Sequence, residues 1–154
     1  MLSVQHIHPI LVHFPIVFFI TLAAVDLVAT LRGQITTGRG ALGNLSLGLA
    51  LAAGAFAIGA YFFGDMALEF AEDGGFHSDI AEIHEGLGET TAALFAIWAL
   101  IRLGLWWRDL RLAGGGALAV ALVEVTGAAL VVVTAYYGGQ LVYDLGVNVA
   151  HAAG

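Results

Sequence analysis

PILVHFPIVFFITLAAVDLVATL, residues 9–31, is followed by Arg32 and Gly33. An apolar run of about 22 residues matches the roughly 30 Å hydrocarbon layer of a bilayer when it is helical. No basic segment precedes it, so it reads as a span and not as a cleavable leader. Three further apolar stretches of spanning length follow, at about 44–70, 79–107 and 117–137. Asn44 is placed to cap the second, Asp79 with Glu82 to open the third, and Gly138-Gly139 to end the fourth. Residues 138–154 then form a tail on the outer surface, able to cover the end of the bundle. The links are short, which favours consecutive antiparallel neighbours. The expected fold is therefore all-α: one integral-membrane domain over residues 1–154, built as an up-down four-helix bundle.

Composition agrees with a bilayer environment. Of 154 residues, 60% are hydrophobic and 11% charged, with a mean hydropathy of +0.91. Twelve carboxylates stand against five arginines and no lysine, a formal charge of −7 that argues against nucleic acid as a partner. The absence of cysteine excludes disulfides, c-type haem attachment and thiolate-bound iron–sulfur clusters. Glycines punctuate the spans, where they let helices approach or leave room for a flat group.

The ionisable residues separate to two ends. Arg32, Arg39, Arg102, Arg108 and Arg111 fall near one end of the spans. His6, His8, His13, His77, His84 and His151 fall near the other, with most of the carboxylates. Cationic loops stay in the cytoplasm, so both termini are expected on the periplasmic side of a bacterial inner membrane. Trp106 and Trp107 suit the inner interface, and Tyr61, Tyr136 and Tyr137 the outer one.

His13 and His84 each lie about one turn inside spans that run the same way, about 6–8 Å below their outer ends. Two imidazoles at one depth are what a b-type haem iron needs for two axial ligands, and His8 is the alternative to His13. Gly88, one turn below His84, leaves space for a macrocycle edge or a neighbouring helix. Ionisable groups inside a membrane are functional candidates by default, although each histidine could also serve only as an interhelical hydrogen-bond donor. His6, His77 and His151 read as solvated. Asp65, Glu69, Glu72, Glu82, Glu85 and Glu89 offer a second chemistry, a histidine–carboxylate site for a divalent transition metal, or else only an acidic rim.

Nearer the other end, Glu124 sits in the fourth span and Arg102 in the third, roughly 12 Å and 9 Å from their inner ends. Antiparallel packing allows them to pair, with Asp26 of the first span joining them. Such a group either locks the bundle's register or serves proton relay or quinone contact.

Two segments carry a resemblance. His8-Pro9-Ile10-Leu11-Val12-His13-Phe14-Pro15 and Gly138-Gly139-Gln140-Leu141-Val142-Tyr143-Asp144-Leu145-Gly146-Val147 resemble the HP-x-x-VHFP opening and GG-x-LVY-x-x-G-V finish of a bacterial family of four-span membrane proteins. The resemblance covers nearly the whole chain and implies that His8, His13, His84, Gly138, Gly139 and Tyr143 are marked positions. Some such domains are fused to, or encoded beside, haem or iron–sulfur modules; no activity follows from the likeness. The expected function is a haem b electron-transfer module, a subunit of a respiratory or photosynthetic complex or a homo-oligomer, in contact with lipid, with quinone or with redox subunits. The alternatives are a cofactor-free structural or assembly subunit and a non-haem metal-binding protein. No nucleophile–base arrangement suggests a stand-alone enzyme.

Overall fold

The computed structural model describes residues 4–147, and all regular structure among them is helical. A short helix, α1 (Val4–Leu11), leads into α2 (His13–Leu31); α3 (Ala41–Asp73), α4 (Asp79–Trp107) and α5 (Gly115–Tyr143) follow. Four segments are long and apolar enough to cross a membrane: His6–Leu31, Ala41–Asp73, Asp79–Trp107 and Gly115–Tyr143. Each long helix packs on its neighbours in sequence, and α5 returns to α2, closing an up-down ring of four. Across the diagonals the backbones stay apart among the described residues and only side chains meet, whereas α1 packs on α3.

The bundle is built with small residues inside and large ones outside. Its buried positions are dominated by alanine, among them Ala50, Ala53, Ala57, Ala92, Ala99 and Ala121. Leu31, Leu100, Phe62 and Val132 point outwards. In lipid an exposed leucine carries no penalty, and close backbone approach supplies the packing energy. At mid-bundle Phe19 and Phe95 are buried and stacked.

Three element ends differ from the sequence reading. α3 starts at Ala41, not after Asn44, whose side-chain oxygen accepts from Trp106 Nε1 at 2.7 Å. The cap of α4 is Ser78, whose Oγ accepts from the Ile80 N–H, so Asp79 and Glu82 lie within the first turn and make no capping box. There they face the partial positive charge of the helix start. α5 runs through Gly138-Gly139 to Tyr143, so the span does not end at the glycines. A helix in lipid keeps its main-chain groups paired, and that demand outweighs the poor helix propensity of glycine. Val149 and His151 lie outside the described residues.

The links 32–40 and 108–114 are stitched together at the arginine end. Asp109 Oδ1 accepts from the Arg39 main-chain N–H at 2.7 Å, and Arg39 Nη2 donates to the Trp107 carbonyl at 2.7 Å. The Leu112 N–H donates to Thr37 Oγ1. Gly38, at φ 74°, tucks beneath this knot: a Cβ there would meet Arg111 Cγ and Asp109 Oδ1 at 2.8 Å.

Candidate functional site

At the opposite end, α1, α2, α3, α4 and α5 surround a cavity of about 450 Å³. Its wall is mostly apolar, contributed by residues such as Ile16, Ala57 and Val131, with a few polar groups. That size lies within the range of small-molecule and cofactor sites.

Two of the imidazoles at the cavity are paired. The rings of His8 and His84 have centroids 6.2 Å apart and planes at 80°. His8 Nδ1 bonds to the Ala60 carbonyl at 2.7 Å, and His84 Nδ1 to the Thr134 carbonyl at 3.0 Å. A carbonyl oxygen only accepts, so in both rings Nδ1 carries the hydrogen. Nε2 of each neutral ring then keeps its lone pair, the state a metal-binding histidine adopts. Thr91 Oγ1 donates to Thr134 Oγ1, which in turn donates to the Leu130 carbonyl, so the hydroxyls at the cavity wall satisfy one another.

The ring beside His84 is that of His8, not the expected His13. The reason is local: Pro15 lacks the N–H that would bond the Leu11 carbonyl, so the hydrogen-bond ladder is interrupted at Val12 although its φ −59° and ψ −26° stay helical. α1 packs on α3, which accepts from His8 through the Ala60 carbonyl. His13 begins α2, is exposed, and lines the same cavity, as does Gly88. A Cβ on Gly88 would touch nothing within 4 Å, so the missing side chain is part of the open space. His77 is exposed in the 74–78 link.

The second candidate group comes together at the far end. Arg102 Nη1 lies 2.8 Å from Asp26 Oδ2 and 3.4 Å from Glu124 Oε1, and its Nη2 donates to the Thr36 carbonyl at 2.7 Å. Ser46 Oγ donates to Asp26 Oδ1 at 2.5 Å, and Trp98 Nε1 to Glu124 Oε1 at 3.1 Å. Asp26, Glu124 and Arg102 are all buried. Both oxygens of Asp26 are met by donors, whereas Glu124 Oε2 is buried without a partner. Ser46, Trp98 and Thr36 were not singled out in the sequence. Polar residues at the depth of a buried charge were the available signal.

Among the described residues, no three His, Cys, Asp or Glu side chains gather as a metal-ion site. The histidine–carboxylate site with several protein ligands is therefore not assembled there. Two imidazoles paired at a cavity are a different arrangement.

Fold and site define a four-span helical membrane protein with a histidine-flanked cavity at one end and a buried ion cluster at the other. The family described as "Predicted membrane protein (DUF2231)", a domain of unknown function, matches residues 5–151, and the chain belongs to that family. Comparison with curated proteins and with solved structures returned no match.

Proposed function

We propose that the protein is an electron-transfer module for one b-type haem, which His8 and His84 would hold at the histidine end. The observation that carries the reading is the paired rings at 6.2 Å, each tied through Nδ1 to a main-chain carbonyl beside a cavity of about 450 Å³. Metal–imidazole bonds of about 2 Å, with roughly 1 Å more to each ring centre, put two axial imidazole centroids about 6 Å apart. The observed 6.2 Å between the ring centroids is compatible with that distance. A haem held by His8 and His84 would supply one-electron chemistry, and two protein ligands would suit transfer rather than catalysis. The chain itself orients the rings, fixes their tautomer and walls the group with apolar side chains.

The five arginines belong to the other end of the bundle, or to the links there. This supports a cytoplasmic face at links 32–40 and 108–114, with the haem and both termini towards the periplasm of a bacterial inner membrane. Quinones and neighbouring redox subunits are the electron donors and acceptors to test. The deciding experiment is a visible spectrum of protein purified from haem-replete cells, before and after addition of haemin. A Soret band and a reducible α-band are expected, lost in His8→Ala and in His84→Ala and retained in His13→Ala. A folded protein that stays colourless and takes up no haemin would overturn the reading and favour a cofactor-free structural subunit.

A further inference from the structure

The surroundings of the two histidines match in detail. The Ala60 carbonyl that accepts from His8 lies one helical turn before Gly64; the Thr134 carbonyl that accepts from His84 lies one turn before Gly138. A carbonyl inside a helix already accepts from the N–H four residues on, and the side chain of that fourth residue overhangs its second lone pair. Glycine uncovers it. A Cβ on Gly64 would stand 2.8 Å from His8 Cε1 and Nδ1, and a Cβ on Gly138 would stand 2.8 Å from His84 Cε1.

The correspondence continues down the bundle at one constant spacing. Asp26 and Arg102 are 76 residues apart, as are Phe19 and Phe95 and the two histidines, and in all three pairs the members meet. The helix ends agree as well. Arg32 (φ −91°, ψ 8°) and Arg108 (φ −86°, ψ 2°) close α2 and α4, and the residues that follow, Gly33 (φ 68°) and Asp109 (φ 47°), are both left-handed. The link 108–114 is two residues shorter than 32–40, which accounts for the slightly closer spacing of Gly64 and Gly138. Three like-numbered contacts in line are what an approximate two-fold axis between the hairpins would produce.

We infer that the chain is two copies of one helical hairpin, and that Gly64 and Gly138 are equivalent positioning residues, each setting one histidine so that its Nε2 faces a single ligand on the axis between the copies. The ligand class is a metal-centred planar group that accepts one neutral imidazole from each side. Only this last step rests on the haem reading; the tautomers and the role of the glycines do not. Asp26 and Arg102 mark where the copies have diverged to opposite charge.

The test starts with the full-length apoprotein in detergent, its histidines labelled with nitrogen-15. Both His8 and His84 should show protonated Nδ1 and unprotonated Nε2. Gly138→Ala should disturb that signature at His84 alone and Gly64→Ala at His8 alone, while Gly48→Ala, whose added Cβ meets nothing within 4 Å, changes neither. With haemin as the probe, each of the two site variants should lose about 10–100-fold in affinity, and to a similar degree. An Nε2-protonated tautomer at either ring of the parent protein would overturn the inference, even if the variants failed to fold. So would a folded Gly64→Ala or Gly138→Ala protein with parental tautomers. If the parent shows the expected tautomers but binds no haemin, the positioning role stands and the haem reading falls.

Discussion

Phe19 and Phe95 stack face to face, ring centroids 3.7 Å apart and planes within 9°, joining α2 to α4 through the bundle's interior. The backbones of the two helices do not pack against each other; their side chains span the gap. Gly127 of α5 lies against the stack: a Cβ there would fall 2.5 Å from Phe19 Cε1 and 2.7 Å from Cζ. The two rings and the glycine form one packed layer between the histidines and the ion cluster.

Gly127→Ala should therefore destabilise by forcing Phe19 off its partner, by about 1–3 kcal/mol, the usual cost of overpacking. Phe95→Ala removes a buried ring and should cost about 3–5 kcal/mol. Thermal unfolding in detergent measures both. Gly127→Ala with Phe19→Leu should recover part of the loss, because the shorter side chain vacates the contested space. Unchanged melting of Gly127→Ala would show that the layer is not packed as described.

The Asp26–Arg102–Glu124 cluster gives an ordered series. Removing Arg102 leaves two buried carboxyl groups with no cation, and breaking a buried pair in this way costs about 3–5 kcal/mol. Arg102→Leu should accordingly be the worst of the three. Glu124→Gln should be mild: Asp26 and Arg102 still balance, and the amide oxygen can still accept from Trp98 Nε1. Asp26→Asn should fall between, since Glu124 remains as counter-charge but at 3.4 Å rather than 2.8 Å. A melting series in which Glu124→Gln is the most damaging would contradict this ranking.

How far the sequence foretold all this differs by level. The four spans are legible because a bilayer imposes length and polarity on every helix that crosses it. The expectation that Arg102, Glu124 and Asp26 meet needed only helix rise and antiparallel order. The choice between His8 and His13 was not legible. It turns on how α1 packs against α3, which tertiary packing sets and periodicity does not. The glycines at 138 and 139 were misread as a stop because glycine ends helices in water, whereas here Gly138 makes room for the His84 ring. The repeat was available as a constant spacing between His8 and His84 and between Phe19 and Phe95. It is hard to notice when the third pair, Asp26 and Arg102, has become opposite in kind.

At the arginine end, Asp109 has its carboxyl held below the usual range, chiefly by the Arg39 main-chain N–H and next by the Arg111 side chain. A carboxyl with a lowered folded-state pKa stabilises the fold above its ordinary value and loses that contribution as pH falls through the folded-state value. Asp109→Asn keeps an acceptor and a residue tolerant of the φ of 47°, but removes the charge. The variant should be slightly less stable than the parent at pH 7, with the gap closing below about pH 4. Parallel melts at several pH values check this. A gap that is independent of pH would mean the ionised form adds nothing.

Sidedness is the remaining large question, and the lack of cysteine makes it simple to ask, since any introduced thiol is unique. His77 is exposed in the link at the histidine end, and Leu110 is exposed in the link at the arginine end. In intact spheroplasts, the proposed orientation predicts that a membrane-impermeant maleimide labels His77→Cys at once and Leu110→Cys only after permeabilisation. The opposite pattern would place the histidine cavity at the cytoplasmic face. Electron donors and acceptors would then have to be sought in the cytoplasm instead of the periplasm, while the helices, the ring pair and the buried cluster would be unaffected.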